Sequence, residues 1–305
     1  MRQTECCRAE MLSLICSGES IAFVGAGLGV RLNYPTWDDL LQELNDEANK
    51  LSPLDLPPEI LADPLKRADA IKEHFVTHHR EPIYHELLGR RFGPRTGANC
   101  TATHRLLVGL PFRAFATTNY ESSLESALLS TTNGACPDHG VIVKMNGADC
   151  HRVSTFLRSL TDPSSGFRYI AHLHGRHDDT KNMILTATDY EMAYGVESVN
   201  GATITAAQVT LHRKLTWALF ATRQMIFVGC SMRDPYIKAL LAAVGRDLWE
   251  VSEKNHFIIQ GLEAKDIKSA ESDAEALGRH GLRVVYYDNF DGTHRTRPTS
   301  ERGGR

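Results

Sequence analysis

Ser20-Ile21-Ala22-Phe23-Val24-Gly25-Ala26-Gly27-Leu28-Gly29 is the stretch on which the fold turns. Its apolar run stops abruptly at Gly25-Ala26-Gly27, the pattern of a buried strand entering a tight turn of the phosphate-binding type. Glycines in such a turn let backbone N–H groups approach a pyrophosphate at a helix N-terminus. The dehydrogenase fingerprint G-x-G-x-x-G is not met. Val30 stands where its last glycine belongs, and no second strand ending in an acid follows about 20 residues on. A helix is predicted instead, over Thr36 to Lys50, with Trp37, Leu40, Leu41, Leu44 and Ala48 at helical spacing and Thr36 as N-cap. By itself the glycine turn fits nucleotide binding and a plain strand-to-helix turn about equally.

Further along, Ser52 to Pro64 is proline-rich and marks a boundary, and Leu65 to Arg91 reads as helical with Pro82 opening a fresh helix. Residues of about 50–110 are accordingly expected to form a helical insertion. Phe112 to Thr117, Phe167 to Leu173, Met225 to Val228, His256 to Ile259 and Leu282 to Tyr287 read as strands. Helices are predicted between them, over Glu121–Leu129, about Ala206–Ala221, Asp234–Val244 and Ala264–Leu277. Thr131 to Ser165 reads as an irregular polar excursion, and Met183 to Thr186 as a short extended piece. Strands alternating with helices predict a doubly wound, mostly parallel, Rossmann-like α/β sheet. One domain over residues 1–290, with a flexible polar tail at 291–305, is the expected organisation.

Three more segments put polar residues at predicted strand ends, where open α/β sheets bind ligands. Thr117-Thr118-Asn119-Tyr120-Glu121 is the first; Asn119 can hold a ribose hydroxyl or a water, or Thr118 or Asn119 can simply cap the next helix. His172-Leu173-His174-Gly175 is the second. It admits three readings: a metal cluster with His177, a general base at His174, or ordinary members of a set of 14 histidines. Arg176 occupies the position where the metal motif H-x-H-x-D-H needs aspartate. The third is Gly229-Cys230-Ser231-Met232-Arg233-Asp234, where small residues allow close approach of a ribose or phosphate and Asp234 is by default a helix cap. All four segments converge on one rim of the predicted sheet.

With 305 residues, 42% hydrophobic and 23% charged, the chain can bury a sizeable core and is not disordered. A net charge of -3 argues against nucleic-acid binding through bulk positive charge. No stretch reaches the length of a membrane span and no secretory signal opens the chain, so a cytoplasmic location is expected. Seven scattered cysteines without a C-x-x-C pair argue against both a disulfide framework and a zinc ribbon.

In this order, FVGAG, YPTWDDLL, TTNYE, LHG with ILTATDY, and FVGCSMRDP resemble the sirtuin-like NAD-binding superfamily, and more closely its prokaryotic defence-associated NADase branch than the protein deacylases. The resemblance implies that Gly25, Ala26 and Gly27 contact the NAD phosphates. It further implies that Asn119 positions the nicotinamide ribose, with Thr118 beside it, and that His174 is the catalytic base. Gly229 and Ser231 would face the adenosine half, and Asp234 counts with them among the cofactor-binding residues. The chain departs from the family pattern in carrying Gly29 for the usual serine, Asn33 for a common glycine and Glu121 for the more common aspartate.

On that resemblance, the expected reaction is hydrolysis of the nicotinamide–ribose bond of NAD to ADP-ribose and nicotinamide, with NAD as substrate and no metal. Unregulated NAD loss would be lethal, and the recognisable domain takes up nearly all of the sequence. Control by homo-oligomer assembly or by a separate partner is therefore expected: a HerA-type ATPase, an Argonaute-like protein or a nucleotide-sensing subunit of an abortive-infection system. The alternatives are an NAD-dependent lysine deacylase, a metallohydrolase and a non-catalytic NAD or ADP-ribose binding module.

Overall fold

The computed structural model describes residues 2–97, 99–131, 140–143, 150–162, 168–195, 210–248, 256–263 and 269–289. Seven strands form its sheet: β1 (Ile21–Val24), β2 (Ala114–Thr117), β3 (Gly140–Ile142), β4 (Ile170–His172), β5 (Met225–Val228), β6 (His256–Leu262) and β7 (Leu282–Asp288). They lie in the order β3-β4-β2-β1-β5-β6-β7, and every pairing is parallel. The central strands are short and apolar because both faces of a parallel sheet are covered, leaving no side for polar alternation. Ile21, Ala22, Phe23 and Val24 are all buried.

Alternate residues feed two cores. Ile21, Phe23, Ala116, Leu173 and Phe227 face α8 (Cys150–Thr161), α9 (Ala187–Tyr194), α10 (Leu211–Thr222) and α11 (Pro235–Asp247). Ala22, Val24, Phe115, Ile226 and Phe257 face α1 (Arg2–Cys16), α6 (Ala102–Gly109) and α7 (Ser123–Thr131). The doubly wound architecture follows from this division. A third core joins α2 (Trp37–Asn49), α4 (Pro64–Thr77) and α5 (Glu81–Phe92), with α3 (Pro58–Leu61) short and unburied between them. Of these, α3, α4 and α5 fall within residues 50–110, the range expected to form a helical insertion, whereas α2 precedes it and α6 of the same range packs in the second core. In the third core Leu40, Leu44, Ile71, Phe75, Tyr84 and Leu88 pack against Tyr120, Met183 and Leu185 from the loops at the sheet rim. Thr36 caps α2 in a reciprocal box with Asp39, whose carboxylate is held below the usual range by the Thr36 hydroxyl and backbone N–H.

Two expectations are corrected and one further element is found. The stretch Thr131–Ser165 is not wholly irregular: β3 joins the sheet edge, and α8 buries Val153, Phe156 and Leu160 at helical spacing. The N-terminal segment contains α1, whose Met11 and Ile15 enter the second core; its apolar stripe is too narrow to stand out among its charges. Met183 to Thr186 is the short extended piece expected, with extended backbone at both Met183 and Thr186. It follows a 3-10 turn at Thr180–Asn182, and Ile184 N–H donates to His174 O. Finally, α12 (Ala270–Gly278) begins later than Ala264; residues 264–268, 206–209 and the expected tail at 291–305 lie outside those described. Among the described residues no helix is long and apolar enough to cross a membrane.

Candidate active site

Strand order reverses at β1. The chain places β2, β4 and β3 on one side of it, then crosses to β5 on the other, so the crevice at the carboxyl ends of β1 and β5 is the switch point at which such sheets bind ligands. Gly25-Ala26-Gly27 leaves β1 there and Gly229-Cys230-Ser231 leaves β5.

These two loops pack on each other. Gly25 N–H donates to Val228 O and Gly27 N–H to Gly229 O, both at 2.9 Å. A Cβ on Gly25 or Gly27 would stand 2.6 or 2.9 Å from the Gly229 carbonyl oxygen, closer than van der Waals contact permits. Gly229 itself has φ +69°, a conformation glycine adopts without steric cost. The glycine signature is thus explained first by loop-on-loop packing. Ala26 and Gly27 are exposed at the mouth, as is Ser231, while Thr118 is half-buried.

Asn119 is held rigidly. Its backbone N–H donates to Thr117 Oγ1, and its Nδ2 donates to Gly25 O at 3.1 Å and to Glu121 Oε1 at 3.0 Å. Both amide protons are therefore spent within the protein, which fixes the side-chain flip and leaves Oδ1 as the acceptor. Thr117 Oγ1 in turn donates to Val24 O, tying β2 to β1. Glu121 also accepts from the Ser123 hydroxyl, and burial raises its pKa. The capping alternative for Asn119 finds no support in these contacts.

His172 and His174 share a face in an extended strand, yet β4 ends at His172 and the two rings diverge. His172 Nε2 meets Glu125 Oε1 at 2.7 Å and its Nδ1 meets Asn119 O at 3.1 Å. Burial alone would lower the His172 pKa, but the Glu125 charge and hydrogen bond raise it. Burial conversely opposes ionisation of Glu125, whose pKa is nonetheless brought to about 2 by His172 and Arg176. His177 Nε2 lies against Ser122 Oγ. The three histidines do not converge, and among the described residues no group of three or more His, Cys, Asp or Glu side chains could hold a metal ion.

His174 is 2% exposed, enclosed by Tyr190 and Tyr194 of α9 and by Asp234 at the start of α11. Its Nε2 lies 3.0 Å from Tyr194 Oη, its Nδ1 3.4 Å from Tyr190 Oη, and Tyr190 donates to Asp234 Oδ2 at 3.0 Å. Because Tyr190 gives its only proton to Asp234, its oxygen can only accept from His174; Nδ1 therefore carries the proton and Nε2 accepts from Tyr194. Burial lowers the His174 pKa to about 3, so the ring is neutral at pH 7. Asp234 Oδ1 also accepts from the N–H groups of Tyr236 and Ile237, so the default role of helix cap holds alongside the link to Tyr190. Cys230 is no nucleophile: burial pushes its thiol up to about 12.

Tyr190 and Tyr194 were given no role by the sequence reading. Their signal lay in Thr186-x-x-Asp189, a capping box that sets the start of α9. Asp189 further accepts from Lys72 Nζ at 2.8 Å, and Asp69 accepts from Thr188 N–H, so α4 ties down the helix that covers His174.

The comparisons with known proteins agree with this architecture. A profile of the SIR2-like domain matches residues 113–284. Proteins named NAD(+) hydrolase ThsA are similar over most of the chain. The one from Enterococcus faecium is 24% identical over 246 residues, 79% of this chain and 43% of its own length. Those from Cytobacillus dafuensis and Bacillus cereus (strain MSX-D12) are 23% identical over 248 residues and 20% over 282, covering 81% and 88% of this chain and 42% and 51% of theirs. The chain spans about half the length of the curated relatives it matches. The matched segment begins at Arg113, but β1 with Gly25–Gly27 is the middle strand of the same sheet. On the extent of the domain match, the chain belongs to the SIR2-like family.

Proposed function

We propose that the chain hydrolyses NAD to ADP-ribose and nicotinamide. The observation that carries this reading is at the carboxyl rim of the sheet, where buried Asn119 after β2 is immobilised by Gly25 O of the switch-point loop and by Glu121 while His174 stands neutral after β4. The printed name of the relatives, NAD(+) hydrolase, supports it.

In the proposed reaction Ala26 and Gly27 receive the phosphates at the mouth beside Gly25, Thr118 and Asn119 orient the nicotinamide ribose, and Gly229 and Ser231 face the adenosine half. Cleavage passes through an oxocarbenium-like state. The C1′–N electron pair moves onto the nicotinamide ring nitrogen, neutralising it. A water oxygen bonds to C1′, and its proton passes to His174 Nε2 and then to solvent. No metal takes part. Asp234 and Tyr190 hold the imidazole tautomer and oppose the positive charge that appears on it.

Access to Nε2 requires Tyr194 to give way, which supports a resting state awaiting a trigger. We place the protein as a cytoplasmic effector of a prokaryotic abortive-infection system, activated by homo-oligomer assembly or by a sensor such as a HerA-type ATPase, an Argonaute-like protein or a nucleotide-sensing subunit. The test is incubation of the purified protein with NAD, with and without an acetyl-lysine peptide, and chromatography of the products. ADP-ribose and nicotinamide in both reactions, lost in Asn119→Ala and His174→Ala, are expected. O-acetyl-ADP-ribose formed only with peptide identifies a deacylase instead, and retained NAD without turnover a binding module.

A further inference from the structure

Four arginines from three separate segments line one open cleft of about 690 Å³ beside the rim. Arg31 comes from the last turn of the 3-10 helix Ala26–Leu32 that follows the glycine loop; Arg90 and Arg91 come from the end of α5; Arg95 lies just beyond Gly93-Pro94. Glu43 is the single acid in the lining, and Arg91 binds it at 2.8 Å. The lining thus brings four guanidinium groups and one carboxylate together on a chain whose net charge is -3.

Two of the guanidinium groups, those of Arg91 and Arg95, are positioned by neighbours. Arg95 stacks over the Tyr34 ring, 4.7 Å from its centroid, and Asn99 Oδ1 accepts from its backbone N–H. Tyr34 in turn stacks on Phe92, so the stack rests on the third core. Arg91 is braced by Glu43. Planar forks held in place lose little entropy on binding and match phosphoryl oxygens in pairs. The positive surface is bounded: past Arg90 and Arg91 the adjoining hollow carries Glu43, Asp46 and Glu47, the last ion-paired with Lys50. Its volume is that of a small-ligand site, and the overall charge does not suit a long polyanion.

We propose that this cleft binds a small ligand carrying two or more phosphoryl groups, at a site separate from the His174 centre. The inference does not depend on NAD hydrolysis. Inorganic tripolyphosphate, titrated into the protein by calorimetry at fixed ionic strength, is the probe. It is expected to bind saturably at one site, and sulfate far more weakly. Arg90 is exposed, so Arg90→Gln leaves the melting temperature unchanged while weakening the probe by about tenfold, and the double variant Arg31→Gln/Arg90→Gln weakens it by about tenfold more. Arg279→Gln, an exposed cation outside the cleft, leaves binding intact. The proposal is overturned by absence of saturable binding, by equal loss in the Arg279 variant, or by displacement of the probe by NAD. A single-stranded oligonucleotide that outcompetes the probe with the same sensitivity to the double variant also overturns it, in favour of nucleic-acid binding.

Discussion

Gly29 and Glu121 occupy one space: a Cβ at Gly29 would stand 3.2 Å from Glu121 Oε1, the oxygen that accepts from Asn119 Nδ2. The two departures from the sirtuin-like pattern noted in the sequence, glycine for serine and glutamate for aspartate, thus fall at positions that face each other. The longer acid reaches Asn119 and Ser123, and the glycine makes room for it.

Gly29→Ser should overpack the site and cost about 1–3 kcal/mol. Adding Glu121→Asp should return most of that loss, giving a non-additive cycle in urea denaturation. Strict additivity of the two changes would show that they do not share the space.

Removing the imidazole in His174→Ala should lower NAD turnover by about 10²–10⁴-fold, the usual worth of a positioned general base. Tyr190→Phe keeps the ring but cuts its link to Asp234, so kcat should fall while KM stays near its original value. A change confined to KM in Tyr190→Phe would assign the tyrosine to substrate binding instead.

Acid should unfold the protein readily. His104, His212 and His256 are held neutral by burial with pKa values lowered to about 4, and His174 to about 3. The unfolded chain takes up these protons below its own histidine value of about 6.5. Stability is therefore full above that pH and falls as pH drops toward 4, by about 1.4 kcal/mol per pH unit for each histidine charged only when unfolded. His172, whose pKa is raised, works in the opposite sense. Urea midpoints at pH 7 and pH 5 measure the balance, and equal midpoints would contradict it.

Glu125→Ala should cost about 3–5 kcal/mol, because it strands His172 in the core and removes the carboxylate that Arg176 holds at 3.1 Å. His172→Asn, which leaves the buried Glu125 carboxylate with Arg176 as its remaining ionic partner, should be comparably damaging. Thermal melting of both variants tests this, and a loss under 1 kcal/mol in both would show the pair to be dispensable.

Much of the fold was legible because the signals are local. The abrupt end of Ile21–Val24 at Gly25, the Thr36 cap, Pro82 opening a helix and the apolar runs at 225–228 and 282–287 each declare an element within a few residues. Two elements have weak local patterning, α1 with its narrow stripe and β3 at three residues, whereas α8 carries Val153, Phe156 and Leu160 at helical spacing inside a polar stretch that hides it. These elements form because the sheet edge and its two faces offer apolar surface to cover, a property of the assembled core.

For the site, sequence alone put Asn119, His174, Gly229 and Asp234 at strand ends and named the four segments. Only the tertiary structure decided which of them touch. Placing β5 beside β1 sets the Gly229 carbonyl against Gly25 and Gly27, and wrapping α9 over β4 sets Tyr190 and Tyr194 on His174. In a parallel sheet every neighbour is reached by a long crossover, so contacts between residues some two hundred positions apart leave no periodicity for the sequence to display.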